Sequence, residues 1–294
     1  MKTSLILTFL LATGAAAATV EEGKLDTAKI EALTGLKGQL NEKEGVFKVS
    51  FPRDDIKATV GGVKMTPAMG LTAWAAFTRL GDHAMVMGDI VLLEDQVNPV
   101  MSAALDNGLE VTALHNHFLW DSPRVMFMHV GGMGDEEKLA RGIGAVFARV
   151  KEPVVPRSVP PRLDRDRADT ELNPEKLDAA LGTKGDFAKG VYKAVWGLNT
   201  KMDAHDVGAA MGVNTWAAFS GSNEQAVVDG DFAMYEGQLQ GVLRALRRAG
   251  INIVAIHNHM TMESPRVMFL HYWGQGTAAQ LAAGLKSALD TQKE

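Results

Sequence analysis

Displaced by 142 residues, this sequence matches itself. Val111–Gly134 aligns with Ile253–Gly276 without a gap, and 13 of the 24 residues are identical. Upstream, "TAWAAF" (Thr72–Phe77) meets "NTWAAF" (Asn214–Phe219), and "MGDIVLLEDQ" (Met87–Gln96) meets "DGDFAMYEGQ" (Asp229–Gln238). "GVFK" at Gly45 meets "GVYK" at Gly190, three residues out of register. One unit is therefore written twice. Two copies are too few for a solenoid, whose repeats need several neighbours to bury a core. The expectation is two similar lobes about a pseudo-two-fold axis, with repeats over residues 24–150 and 175–294. Between them, residues 151–174 hold five of the ten prolines among alternating charges, which reads as an extended linker.

Within each copy the hydrophobic period changes repeatedly. "TAWAAFTRL" and "HAMVMGDIVLL" alternate like paired strands around Gly81-Asp82. "EDQVNPVMSAALDNG" reads as a helix stopped at Gly108, with Pro99 in its early turns. "LEVTALHNHF" and "RVMFMHV" are further strands. "GDEEKLARGIGAVFARV" is an amphipathic helix with acids first and Arg149 near its end, as the helix dipole favours. "YEGQLQGVLRALRRAG" and "GTAAQLAAGLKSALDTQ" repeat the two helices more clearly. Each unit runs β-β-α-β-β-α. The predicted class is α+β, with an antiparallel sheet and helices on one face of each lobe.

The first residues, "MKTSLILTFLLATGAAAATVEEGK", have a lysine, a short apolar run and small residues. That is the pattern of a cleavable signal peptide over residues 1–18, with an apolar run too short to span a membrane. The expectation is a periplasmic or secreted protein. With no cysteine, the chain has no lipid-anchoring thiol and no disulfide, so no stable membrane anchor is expected. Net charge is −5, and no basic stripe suggests nucleic-acid binding.

The chain has eight histidines, and six lie in the matched segments. If Asp121-Ser122-Pro123 made a three-residue hairpin loop, Trp120 would face Arg124, His117 would face Phe127 and His115 would face His129. His115 and His117, two apart on a strand, share a face, and His129 joins them from the next strand. His257, His259 and His271 repeat the arrangement, with Asn116 and Asn258 on the opposite face. Three imidazoles converging on one point are metal-ligand geometry, and three protein donors leave an open position. Zinc or copper is expected first, with iron or nickel as alternatives.

Glu94 and Glu236 at helix starts, and Asp121 and Glu263 in the loops, are candidates to complete a metal shell or act as general base. Arg124 and Arg266, in the repeated Ser-Pro-Arg, read as turn-bonding or as holders of an acidic small molecule. Asp89 and Asp231 read as turn caps, and Trp74 and Trp216 as core. The methionines around the histidines read as core filler, with soft copper ligation as the alternative.

The doubled "HNH…SPR…H…G" text, with "WAAF" upstream, resembles the LppY/LpqO family of bacterial exported proteins over most of residues 45–292. That resemblance implies export and a domain of unknown function. Unlike members named as lipoproteins, this chain lacks the anchoring cysteine. Three functions stay open: an exported transition-metal-binding protein, a metal-dependent enzyme (a hydrolase or oxidoreductase) acting on a small acidic molecule, and a binding protein whose histidines form a structural network.

Overall fold

The computed structural model describes residues 24–153 and 171–293. The expected signal segment and most of the expected linker lie outside these residues. Both ends of that linker are helical, because Lys151 closes α3 and Pro174 opens α4.

The first repeat runs α1 (Thr27–Thr34), β1 (Gly38–Asn41), β2 (Val46–Pro52), β3 (Thr59–Val60), β4 (Val63–Lys64), β5 (Thr72–Leu80), β6 (His83–Leu93), α2 (Glu94–Asp106), β7 (Glu110–His115), β8 (Asp121–Ser122), β9 (Val125–Gly134) and α3 (Glu136–Lys151). The second runs α4 (Pro174–Leu181), β10 (Asp186–Ala188), β11 (Val191–Gly197), β12 (Thr200–Met202), β13 (His205–Val207), β14 (Asn214–Gly221), β15 (Ala226–Tyr235), α5 (Leu239–Arg248), β16 (Asn252–His257), β17 (Glu263–Ser264), β18 (Val267–Gly276) and α6 (Ala278–Asp290). The class is α+β with antiparallel sheets, as the alternation suggests. The six-element unit expected from sequence is too short, because a helix and four short strands precede it in each copy.

Twelve strands form one antiparallel sheet in the order β1-β2-β5-β6-β9-β7-β16-β18-β15-β14-β11-β10. The two copies thus join edge to edge, through β7 and β16. At the seam Leu114 pairs with Ile256, its own counterpart in the other repeat. A residue paired antiparallel with its equivalent places a local two-fold axis through that pair.

Helices cover one face of the sheet. On β6, Ala84, Val86, Ile90 and Leu92 are buried there, against α2 and α3. The other set, Met85, Met87 and Asp89, faces the open side. Local sequence explains the helix ends. Asp135 accepts a hydrogen bond from the Lys138 N–H at the start of α3, and Thr277 and Gln280 close a capping box on α6.

Two bulges tie the copies together. Between Val111 and Ala113, β7 slips by one residue against β9, and β16 does the same between Ile253 and Ala255. Gln240 of α5 accepts from the Val111 N–H at 3.0 Å and donates to its carbonyl at 2.9 Å. Asn98 of α2, the equivalent of Gln240, grips Ile253 in the same way at 2.8 and 3.1 Å. Each repeat therefore satisfies the backbone that the other's bulge leaves free.

The copies differ below β2 and β11. Arg53 is fully buried and donates to the Val91 carbonyl, to Gln96 and to Asp55. Leu198 stands in its place, since each residue donates its backbone N–H to an equivalent carbonyl, Leu71 or Val213. A cavity of about 90 Å³ remains beside Leu198, lined by Thr215, Ala233, Gln238 and Gln292. Gln292 donates to the Ala233 carbonyl at 2.9 Å, where the guanidinium sits in the first copy.

Candidate metal centre

The expected hairpin register does not form. His115 lies opposite Phe127, and His129 lies opposite Ala113. Asp121-Ser122 is a short strand paired with Thr59-Val60, so residues 116–124 make a wider loop. Trp120 does not face Arg124 but stands 83% exposed with φ 62°. The slip of two residues preserves strand parity, so the imidazoles still meet. Ring centres of His115 and His117, and of His115 and His129, are each 5.1 Å apart. His117, beyond the end of β7, stacks on Phe127 at 3.3 Å. Asn116 turns into its own loop, donating to the Phe118 carbonyl at 2.7 Å.

In the second copy, ring centres of His257 lie 5.1 Å from His259 and 4.6 Å from His271. His259 stacks on Phe269 at 3.5 Å.

Sequence reasoning missed the carboxylates. Asp89 and Asp231 cap no turn. They lie mid-strand, directly opposite His129 and His271 on the open face. His259 Nε2 is 3.2 Å from Asp231 Oδ2 and 3.2 Å from His257 Nε2. Asp231, His257 and His259 each offer a ligand atom within 4.8 Å of the others, a group that could hold a metal ion. The glycine before Asp231 is also explained: a Cβ at Gly230 would overlap the Tyr272 hydroxyl and the Trp216 carbonyl. The repeated "GD" is a close strand approach followed by a carboxylate, and nothing local signals its place, because it meets His129 and His271 only through strand pairing.

Three polar atoms in these clusters are buried without a hydrogen-bond partner: Asp89 Oδ1, Asp231 Oδ1 and His257 Nδ1. Buried groups of this kind are ordinarily satisfied, and a bound ion or ordered water is the common reason for an exception. Burial pushes the Asp231 carboxyl above its ordinary value, against the pull of His271, His259 and His257. Burial also pushes His257 and His117 below the usual imidazole value, with the neighbouring imidazoles acting in the same direction. Neutral imidazole is the ligating form. His271 stands slightly aside, with Nδ1 3.4 Å from the Gly230 carbonyl.

The remaining candidates are engaged elsewhere. Arg124 Nε is 3.8 Å from Glu94, and Arg266 Nε is 3.8 Å from Glu236, all on the exposed surface. Asp121 and Glu263 accept the N–H groups of Val125 and Val267, closing turns that contain cis Ser122-Pro123 and Ser264-Pro265 bonds. Trp74 and Trp216 are not core. They lie half-buried on the open face, opposite Asp89 and Asp231, beneath Lys48 and Lys193. Met128 is buried and Met126 and Met268 pack on the core, whereas Met133 and Met262 are exposed.

Fold and site together define a class: a duplicated α+β protein with a shared open sheet and an Asp–His cluster in each half. The chain belongs to the family described as Domain of Unknown Function (DUF1259), which matches residues 28–149 and again 175–291. No curated protein matches it. Two solved structures are similar at low level. One is a trimeric bacterial microcompartment shell protein, PduB, at 12% identity and a TM-score of 0.20, covering 86% of this chain and 89% of that one. The other is EtuB from Clostridium kluyveri, at 10% identity and a TM-score of 0.21, covering 88% and 90%. Likeness this slight carries nothing over to the present chain.

Proposed function

We propose that this protein binds one transition metal ion in each repeat, through Asp231, His257 and His259 with His271 beside them, and through their counterparts Asp89, His115 and His117 with His129 beside them. The carrying observation is the spacing in the second cluster. Ligands on a tetrahedral zinc with bonds of 2.0–2.1 Å lie about 3.3 Å from one another. Both spacings measured there, His257 to His259 and His259 to Asp231, are 3.2 Å. Imidazole and carboxylate donors suit zinc, with copper, iron and nickel as alternatives.

A purely structural histidine network fits less well, because such a network satisfies its members. Here Asp89 Oδ1 and Asp231 Oδ1 are buried without a hydrogen bond, and His271 Nδ1 approaches the latter only to 4.0 Å. A hydrolytic reading lacks its base, since Glu94 and Glu236 face arginines, and Asp121 and Glu263 hold turns. Binding is therefore favoured over catalysis. Export, and kinship with the LppY/LpqO proteins, belong to the same proposal.

The test is the metal content of untagged protein by plasma mass spectrometry, beside a His115→Ala, His257→Ala double variant. The expected result is close to two zinc ions per chain, lost in the variant. A wild type that carries no metal and takes up none when offered zinc, copper, iron or nickel would sink the proposal.

A further inference from the structure

At the outer edge of the sheet, β1 and β2 carry a groove of about 320 Å³, lined by Lys37, Gly38, Gln39, Lys48 and Ser50. Gln39 lies opposite Lys48, and Ser50 lies opposite Trp74, which in turn lies opposite Asp89. The groove therefore opens on the face that holds the histidines, and Ser50 and Asp89 are two strand spacings apart, about 10 Å. The lining offers four side-chain donors and no carboxylate. Lys37 is paired with Glu31 at 2.6 Å. Lys48 holds its ammonium 4.1 Å from the centre of the Trp74 ring, and its cross-strand partners, Gln39 and Ala76, are uncharged.

The second repeat supplies an internal comparison. A Cβ at Gly185 would overlap the Tyr192 ring, as one at Gly38 would overlap Phe47. Asp178 accepts the Gly185 N–H, as Glu31 accepts that of Gly38. The lysine over tryptophan is kept, with Lys193 4.6 Å from the Trp216 ring. Opposite Lys193, however, stands Asp186 in place of Gln39, and opposite Trp216 stands Val195 in place of Ser50. One repeat thus sets an acid against its lysine, and the other surrounds its lysine with neutral donors.

We infer that the first-repeat groove binds a small phosphomonoester, its phosphate held by Lys48, Gln39 and Ser50. Lysine serves phosphate as a point charge, and the amide and hydroxyl donors meet the remaining oxygens. A carboxylate has only two oxygens and would leave donors unused. The volume is at the lower end of small-molecule pockets, which span roughly 300–1,000 Å³. A bare phosphate would leave much of it empty, so the ligand carries an organic body, which extends towards Trp74. No histidine lines the groove, so the inference stands apart from the metal reading.

The experiment is isothermal titration of the full chain, before and after stripping with chelator, using glucose 6-phosphate, inorganic phosphate, glucose and acetate as probes. One glucose 6-phosphate per chain is expected in both preparations, bound more tightly than inorganic phosphate. Glucose and acetate should be weaker by at least about tenfold, as the loss of charge-assisted contacts implies. The double variant Gln39→Asp, Ser50→Val gives the groove the side chains that the second repeat already accommodates. It should bind glucose 6-phosphate about tenfold more weakly or worse, and Lys48→Gln should do the same. Binding of neither phosphate compound by the wild type would overturn the inference. So would binding that both variants retain in full. Binding that disappears with chelator would also overturn it, by assigning the phosphate to a metal ion instead.

Discussion

Gln240, on a helix of the second repeat, hydrogen-bonds both the N–H and the carbonyl of Val111 in the first. Val111 faces the helices and is fully buried, while His115 faces the open side. The bulge between them changes strand parity. Each repeat thus holds the bulge that turns the other's histidines outward, because Asn98 treats Ile253 in the same way.

Removing that clamp should act across the repeats. Gln240→Ala leaves two backbone groups of Val111 short of partners, a loss of about 2 kcal/mol. Zinc content should fall from two towards one per chain. The zinc that remains should be the second-repeat ion, lost on adding His257→Ala. Retention of both ions by Gln240→Ala would show that the clamp does not set the histidine geometry.

Asp231 should trade stability for binding. Its carboxyl is raised by burial, so it favours folding below the ordinary carboxylate value, and that contribution is lost as pH rises through the folded-state value. At neutral pH the ionised group is a net cost to the metal-free protein. Asp231→Asn should therefore melt higher in chelator at neutral pH. The same variant should bind zinc at least about tenfold more weakly. A lower melting temperature in chelator would contradict the account of its burial.

Acid should release the metal. His117 and His257 are depressed, so their contribution to the fold is present above the ordinary imidazole value of about 6.5. It is lost as pH falls through the lower folded-state values. Protons also compete directly with the metal for neutral imidazole. Dialysis at pH 7.5 should retain zinc, and dialysis well below the ordinary imidazole value should strip it. Metal retained after dialysis near pH 4 would rule out histidine as the principal ligand.

Arg53 should matter far more than its repeat partner. Arg53→Leu copies the second repeat without supplying Gln292, so the Val91 carbonyl loses the guanidinium and Gln96 Oε1 keeps only the Leu93 N–H. A loss of about 3 kcal/mol in urea unfolding is expected, in line with breaking a buried, hydrogen-bonded charge. An unchanged midpoint would mean that solvent replaces the guanidinium freely.

Much of this molecule is local, and local features are legible in sequence. The duplication, the helices at Glu94–Asp106 and Glu136–Lys151, the Gly81-Asp82 turn and the six histidines all follow from repetition, periodicity and residue type. Strand parity alone brings His115 and His129 to one face, even though the register differs from the expected one by two residues. Asp89 and Asp231 were legible only as polar residues beside a glycine. Their role depends on which strand lies next to β6 and β15, and that pairing is non-local.

The seam is likewise a tertiary decision. A repeat in the sequence is compatible with two separate lobes or with one shared sheet, since both bury the same apolar positions. Pairing Leu114 with Ile256 chooses the shared sheet, and the side chains of Gln240 and Asn98 satisfy the neighbouring edge backbone. The sequence by itself determined that two histidine clusters exist and what chemistry their side chains carry. The tertiary structure decided that each includes an aspartate, that both open on one face, and that they lie side by side. Those facts arise from hydrogen bonds between strands far apart in the chain.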